Sequence, residues 1–337
     1  MKKPIVLITL GDPGGIGPEI ALRAVAAGRS RQATAVLIGG LRMLEAVCKK
    51  CRARFRVSKT DLLPKAGAGR GGLYFLDITP RARALYGKKD FSRGLGWDPG
   101  RVSKRNAAYA MAALGQAVEI LREGGAGALV TAPVSKTAMR LLDPGFTGHT
   151  EFLAKAVCAR SVAMMFVASR LKVTLATIHE PLRKVAGLLK PALVESKIRL
   201  THDFLQKKMR LRNPRIGVCA LNPHGRETGT EEDQVIVPAV RWARRQGWKV
   251  SGPYSADQLF YEAYQGRYDA LIAMYHDQAL APFKMVHFRE GVNVTLGLPF
   301  VRTSPDHGTA FDIAYRHRAD AGSMVAAVGL AAKFAAA

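Results

Sequence analysis

The chain is poor in cysteine, in aromatic residues and in acids, and it has no long apolar run. Four cysteines (Cys48, Cys51, Cys158, Cys219) among 337 residues are too few and too scattered for a disulfide framework, which points to a reducing, cytoplasmic setting. Cys48 and Cys51 have CxxC spacing, but a structural zinc site needs a second pair, so both are read as ordinary cysteines. No apolar stretch approaches the roughly 18 residues of a membrane helix. The short run Ile5–Leu10 ends at Gly11-Asp12-Pro13, which argues against a secretory signal. Aromatic residues make up 7% of the chain, thin for a surface that stacks bases. Acids number 26 against 51 Lys plus Arg, a net charge of +25. Such an excess favours polyanionic partners, yet the cations are spread along the chain, interleaved with helical apolar positions, and form no basic tail. A solvated basic surface is therefore the first reading, ahead of a role in gathering anionic substrate and of a nucleic-acid surface.

What is present reads as a globular enzyme. Hydrophobic residues are 48% and charged residues 23%, and at about 150 residues per domain the length suggests two domains. Short β-branched or apolar runs alternate with longer helical patterns, the signature of an α/β architecture with mostly parallel sheets. Strands are expected at Ile5–Leu10, Thr34–Ile38, Leu73–Leu76, Ala128–Thr131, Ala163–Val167, Val173–Ala176, Ile216–Ala220, Ala270–Ala273 and Val292–Leu296. The clearest helix is Asn106–Arg122, with Ala110, Leu114, Val118 and Leu121 on one face and Gly124-Gly125 as its stop. Pro18 fits the first turn of a helix, and Ser135 fits a cap. Residues 59–72, with Pro64 and a glycine cluster, are the most linker-like.

Gly67-Ala68-Gly69-Arg70-Gly71-Gly72 fits the letters of a dinucleotide fingerprint, but it precedes a strand pattern where a helix is required, so it is read as a loop. No P-loop sequence occurs. Gly11-Asp12-Pro13-Gly14-Gly15-Ile16-Gly17-Pro18-Glu19 lies between an expected strand and an expected helix, where open α/β sheets bind ligands. A tight turn and a ligand loop are equally compatible with it.

Histidine carries the clearest chemical signal. Five of the eight histidines (His149, His179, His224, His276, His307) lie at expected strand ends or in loops of small and polar residues. Singly, each fits a hydrogen-bonded structural histidine. Together, three imidazoles with an open coordination position describe a catalytic divalent-metal site. Lys284, Asn293 and Arg302 follow in the chain and would suit a phosphate or carboxylate.

Six ordered motifs resemble one family: Gly11–Glu19, Thr131-Ala132-Pro133-Val134-Ser135-Lys136, Phe146-Thr147-Gly148-His149-Thr150-Glu151-Phe152, Leu221-Asn222-Pro223-His224, Met274-Tyr275-His276-Asp277-Gln278, and Asn293 through Ala310. The resemblance is to the 4-hydroxythreonine-4-phosphate dehydrogenases of pyridoxal phosphate (vitamin B6) biosynthesis. It implies a two-domain isocitrate/isopropylmalate dehydrogenase-like fold, with residues 1–134 plus 285–337 forming one domain and 135–284 the other. It also implies a cytoplasmic homodimer whose active site lies in the interdomain cleft at the dimer interface. The implied reaction oxidises 4-phosphooxy-L-threonine with NAD or NADP and a divalent metal such as zinc, magnesium or cobalt. The product, 2-amino-3-oxo-4-phosphooxybutanoate, then loses carbon dioxide to give 3-amino-2-oxopropyl phosphate. Carried over by position, the metal ligands are His179, His224 and His276, the last from the partner subunit. Substrate contacts are His149, Thr150, Lys284, Asn293 and Arg302, and Asp257 and Asp277 are the catalytic acids near the metal. His307, Gly308, Thr309 and Asp312 are the cofactor side. Relatives with nearly the same motifs use 4-phospho-D-threonate or 4-phospho-D-erythronate, which stands as the alternative, with a nucleic-acid-binding protein as the alternative of another class. The chain departs from the pattern in a shorter loop after His224 and in Tyr315-Arg316-His317-Arg318, where a glycine-containing turn is usual. It also has Ser135 where relatives carry a larger polar residue.

Overall fold

A computed structural model of the chain describes residues 3–28, 32–50, 57–59, 73–87, 91 and 96–337. Cys51 and residues 60–72, with their glycine pattern, lie outside the described residues. The strands, in chain order, are β1 (Ile5–Thr9), β2 (Thr34–Gly39), β3 (Val57–Lys59), β4 (Leu73–Asp77), β5 (Ala128–Thr131), β6 (Ala163–Val167), β7 (Lys172–Leu175), β8 (Arg215–Cys219), β9 (Lys249–Tyr254), β10 (Ala270–Ala273), β11 (Val292–Leu296) and β12 (Val301–Pro305). The mixed α/β class with a mostly parallel sheet is the one expected.

The chain divides into two compact units, Met1–Ala159 with Leu298–Ala336, and Arg160–Gly297. Residues 135–159 and 285–297 therefore fall on the other side of the boundaries expected from sequence. Packing accounts for both shifts. Ala138, Met139 and Phe146 share a core with Ala107, Ala110 and Leu114 of the helix Lys104–Arg122, which keeps residues 135–156 in the first unit. β11 pairs antiparallel with β6 over Val292–Leu296, which keeps it in the second.

The first unit has the strand order β3-β4-β2-β1-β5-β12, with every pairing parallel. β1 and β5 are buried along their whole length, as expected for strands covered on both faces. From β1 the chain moves outward to β2 on one side, whereas β5 leads to β12 on the other. The carboxyl ends of β1 and β5 thus form a topological switch point, the place where such sheets bind ligands. The loops from Gly11 and from Ala132 leave from it. Helices start there as the sequence predicts: Pro18 sits in the first turn of Gly17–Ala26, and the Ser135 hydroxyl accepts from Ala138 N at 3.1 Å.

The second unit has the order β11-β6-β7-β10-β8-β9. β11, β6 and β7 alternate in direction, while β7, β10, β8 and β9 run parallel. Phe166, Val173, Leu175, Leu271 and Phe283 fill its core.

Candidate active site

In the second unit the expected metal ligands follow three neighbouring parallel strands. His179 comes after β7, His276 opens the helix His276–His287 after β10, and His224 comes after β8. Their separation in sequence disappears because the strand order β7-β10-β8 sets those ends side by side. The His179 and His276 rings lie 5.7 Å apart between centroids. The resemblance assigns His276 to the partner subunit, whereas in this chain it neighbours His179 directly. Among the described residues no three His, Cys, Asp or Glu side chains are gathered closely enough to hold an ion. His224 stands exposed on left-handed backbone, φ 56°.

Two side chains that sequence reasoning gave no role pin these strand ends. Thr177 Oγ1 donates to the Met274 carbonyl at 2.7 Å, tying the end of β7 to that of β10. Gln278 accepts from Met274 N at 2.7 Å and donates to the Ala220 carbonyl at 2.7 Å, tying β10 to β8. Gln278 stood in a quoted motif, and a polar residue one turn into a helix is the signal that could have marked it. Glu232, fully buried, accepts from Leu221 N and Asn222 N at 2.9 Å each and shapes the turn that leads to His224. Asp277 Oδ1 lies 2.7 Å from His276 Nδ1. Asp257 is exposed in the first turn of Ala256–Tyr264 and makes no hydrogen bond to any of the three histidines. Lys284 lies two turns beyond His276 on the same helix, and Asn293 lies on β11 with its Oδ1 buried and unpartnered.

In the first unit β5, β12 and the helix His149–Ala156 carry a cluster of buried polar and cationic side chains. Arg302, on β12, is 3% exposed and donates from Nη2 to Thr131 Oγ1 on β5 at 2.7 Å. Burial lowers its pKa to about 10, with Glu151 opposing the fall, so it stays cationic at neutral pH. His149 opens the helix beside buried Thr150. Burial, then the charges of Arg302 and Lys136, hold its pKa well below the usual imidazole range. It is therefore neutral, and its Nε2 is buried without a hydrogen-bond partner. A buried cation, a second cation and an orphaned imidazole nitrogen form a set that suits a phosphate or carboxylate.

The loop Gly11–Gly17 is held by backbone on all sides. Asp12 N donates to the Pro133 carbonyl at 2.9 Å, and Ile16 N to the Thr309 carbonyl at 2.9 Å. Gly11 has φ +70°, and a Cβ on Gly15 would stand 2.5 Å from the Thr309 oxygen. These glycines are required by packing within the unit, which is sufficient reason for their presence. Gly15→Ala is expected to cost about 2 kcal/mol of stability through overpacking, read from urea unfolding; an unchanged midpoint would show that the Thr309 loop yields freely.

That Thr309 loop carries His307, Gly308 and Asp312, all exposed, and a Cβ on Gly308 would meet nothing within 4 Å. The open backbone leaves room for an incoming ligand. Where relatives have a glycine-containing turn, Tyr315 and His317 take left-handed φ of 59° and 58°, a strained region for such side chains. Tyr315 is held there by its hydroxyl, which donates to the Pro13 carbonyl at 2.8 Å. His317 is held by its own carbonyl, which accepts from Arg23 Nη2 at 3.0 Å.

Asp12 is 1% exposed, and burial raises its carboxyl pKa to about 6 despite the backbone N–H groups of Gly14 and Ser135. A folded-state value above the unfolded one means that folding takes up a proton. The stability this group contributes is complete below about pH 4 and is lost as the pH rises through about 6. Asp12→Asn should therefore remove that slope and stabilise the protein at pH 7 by up to about 3 kcal/mol. Urea unfolding of both proteins from pH 4.5 to 7.5 would measure it, and parallel slopes would mean that Asp12 remains ionised in the fold.

The chain is similar to known proteins over nearly its whole length. A 4-hydroxythreonine-4-phosphate dehydrogenase of Geobacter metallireducens is 44% identical, covering 99% of this chain and 96% of the relative. The D-threonate 4-phosphate dehydrogenase of Salmonella typhimurium is 36% identical, over 99% of this chain and all (100%) of the relative. The crystal structure of 4-hydroxythreonine-4-phosphate dehydrogenase from Klebsiella pneumoniae superimposes with a TM-score of 0.85 at 34% identity, covering 98% of this chain and 99% of that one. Residues 31–331 match the family described as pyridoxal phosphate biosynthetic protein PdxA. With the family match covering most of its length, the chain belongs to the PdxA family.

Proposed function

We propose that the protein is an NAD(P)- and divalent-metal-dependent 4-hydroxythreonine-4-phosphate dehydrogenase. In this reading it oxidises the 3-hydroxyl of 4-phosphooxy-L-threonine to a ketone, and the resulting β-keto acid loses carbon dioxide to leave 3-amino-2-oxopropyl phosphate. The observation that carries the reading is the set of three histidines following adjacent strand ends; the buried Arg302 with the orphaned His149 Nε2 is a separate cluster suited to an anion.

His179, His224 and His276 would hold a zinc, magnesium or cobalt ion, with the set completed in the homodimer; His307, Gly308, Thr309 and Asp312 would hold NAD or NADP. The ion would supply acidity to the substrate hydroxyl, and the cofactor would supply the hydride acceptor. The chain's own residues do the rest. Arg302 takes the phosphate or carboxylate as a planar fork, and Thr131 fixes the guanidinium in place. Neutral His149 offers its free Nε2 to the same ligand, with Thr150 beside it; Lys284 and Asn293, in the second unit, are assigned as substrate contacts. Asp277, on His276 Nδ1, fixes the tautomer that leaves Nε2 as the donor atom. Asp257 is assigned the proton-accepting role.

The homodimer is supported by apolar side chains left in the open: Met285 is 83% exposed, Phe288 74% and Leu182 69%. Exposed apolar groups of this size mark association surfaces, and the first two lie at the far end of the helix that starts with His276.

A second reading, oxidation of 4-phospho-D-threonate or 4-phospho-D-erythronate, is favoured by the relative of that specificity at 36% identity. NADH formation with each of the three acids, with and without EDTA, separates the readings. Chelator-sensitive turnover of the threonine substrate alone supports the first. Turnover of the sugar acids alone supports the second, and turnover of none sinks the dehydrogenase assignment.

A further inference from the structure

The net charge of +25 is unexplained by either half of the candidate site. Read along the chain, the cations look dispersed, but the second unit gathers two separate basic stretches onto one face. The helix Pro191–Lys207 packs beside Val237–Arg245, and that helix packs beside β9. The guanidinium of Arg199 lies 5.1 Å over the Trp242 ring. Trp242 meets Trp248 edge-on at 5.4 Å, and His202 stacks on Trp248 at 4.3 Å. These rings lock the two helices and β9 into a single platform.

The outward side of the platform is cationic. Arg241, Arg244 and Arg245 recur at helical spacing and are exposed, while Ala239, Val240 and Ala243 face the core. At Trp248 the stripe runs into a recess of about 480 Å³ lined by Arg215, Arg244, Trp248, Lys249, Arg267 and Tyr268. Carboxylates nearby are already engaged: Asp269 with Arg215 at 3.1 Å and Glu262 with Arg267 at 2.8 Å. Arg199, Arg241, Arg244, Arg245 and Lys249 have no carboxylate partner among the described residues. Arg244 is nonetheless held in place, because its Nε donates to the Val250 carbonyl at 2.8 Å.

We propose that this face binds the phosphate backbone of single-stranded nucleic acid, independently of base sequence and apart from the dehydrogenase site. A row of unpaired guanidinium groups running into a recess matches a chain of phosphodiesters, each of which an arginine can hold. A free nucleotide would fill the recess but leave the helix stripe unused. An anionic membrane fits less well, because both tryptophans are partly buried beneath His202 and Arg199, and the two helices expose no large aliphatic side chain. The rings' occupied faces also explain why recognition would be electrostatic, without base stacking.

The test is fluorescence anisotropy of a labelled uridine oligonucleotide of about 20 residues, long enough to exceed a typical single-strand site, against the full-length protein over a salt series. The Arg241→Glu, Arg244→Glu, Arg245→Glu variant should bind about tenfold or more weakly and lower the slope of log affinity on log salt by about 2, from roughly 0.7 per lost phosphate contact. A control reversing exposed Arg122, Lys155 and Lys333 of the first unit to Glu should keep the wild-type slope. Dehydrogenase turnover reports that each variant is folded. Should the triple variant fail to fold, Arg241→Gln with Lys249→Gln reads the same slope change at a smaller size. Absence of salt-dependent binding in the wild type would overturn the proposal. So would an equal loss in the control, displacement by free uridine monophosphate at matched phosphate concentration, or equally tight binding to vesicles of anionic lipid.

Discussion

His276→Ala is expected to fold normally and to lose about a thousandfold or more in kcat/KM, the loss of several kcal/mol of transition-state stabilisation that a catalytic ion supplies. Its bound metal, measured by mass spectrometry after equilibration with zinc, should fall in parallel. His276 opens a helix at the end of β10, and its ring is 5.7 Å from that of His179, so removing it breaks the close imidazole pair at these strand ends. Asp277→Asn probes the same atom from behind. It weakens the contact to Nδ1 at 2.7 Å and should cost about 10- to 100-fold in metal affinity or activity, as loss of such an orienting partner does. If His276→Ala kept full metal content and turnover, the imidazole site would have to be abandoned.

Arg302→Met should separate stability from function. Arg302 is buried, and its cation is balanced only in part by Glu151. Replacing a buried ion with an apolar side chain of similar volume is often neutral or stabilising, so the melting temperature should hold or rise. The substrate's anionic group, by contrast, would lose its principal cation, at about 3 kcal/mol or a hundredfold in kcat/KM, seen mainly as a higher KM. An unchanged KM with the phosphorylated substrate would show that the phosphate does not bind at this guanidinium.

Much of the fold was legible because its strands read as short runs rich in apolar and β-branched residues. β5, β6, β10 and β11 lie where the sequence predicts them, residue for residue. Three strands had no expected counterpart, β3, β9 and β12, and the last two were hidden for physical reasons. β12 reads Val-Arg-Thr-Ser-Pro, which looks like loop, yet all five residues are buried. Two of its polar side chains find partners inside, Arg302 Nη2 with Thr131 and Thr303 with the Ala327 carbonyl. A strand that violates the apolar pattern in this way tends to be one that serves a site. β9 was obscured by Gly252-Pro253, which interrupt its pattern at the sheet edge, where proline is tolerated. Of the candidate site, strand-end position singled out five histidines, and the resemblance chose His179, His224 and His276 among them; the adjacency of the strands they follow depends on strand order, which local sequence does not encode. The cationic face of the second unit was missed for the same reason.

The pins at Thr177 and Gln278 bear on how such an enzyme can change its task. Because each joins backbone of neighbouring strands, the spacing of the imidazoles is set by the sheet, whose strands stand about 4.8 Å apart, and not by the loops that carry them. Those loops can then change in length or take on new side chains while the strand ends that carry the imidazoles keep their spacing. Substrate preference and chemical competence become separately inheritable, so acids of different backbone could be oxidised on one unchanged frame.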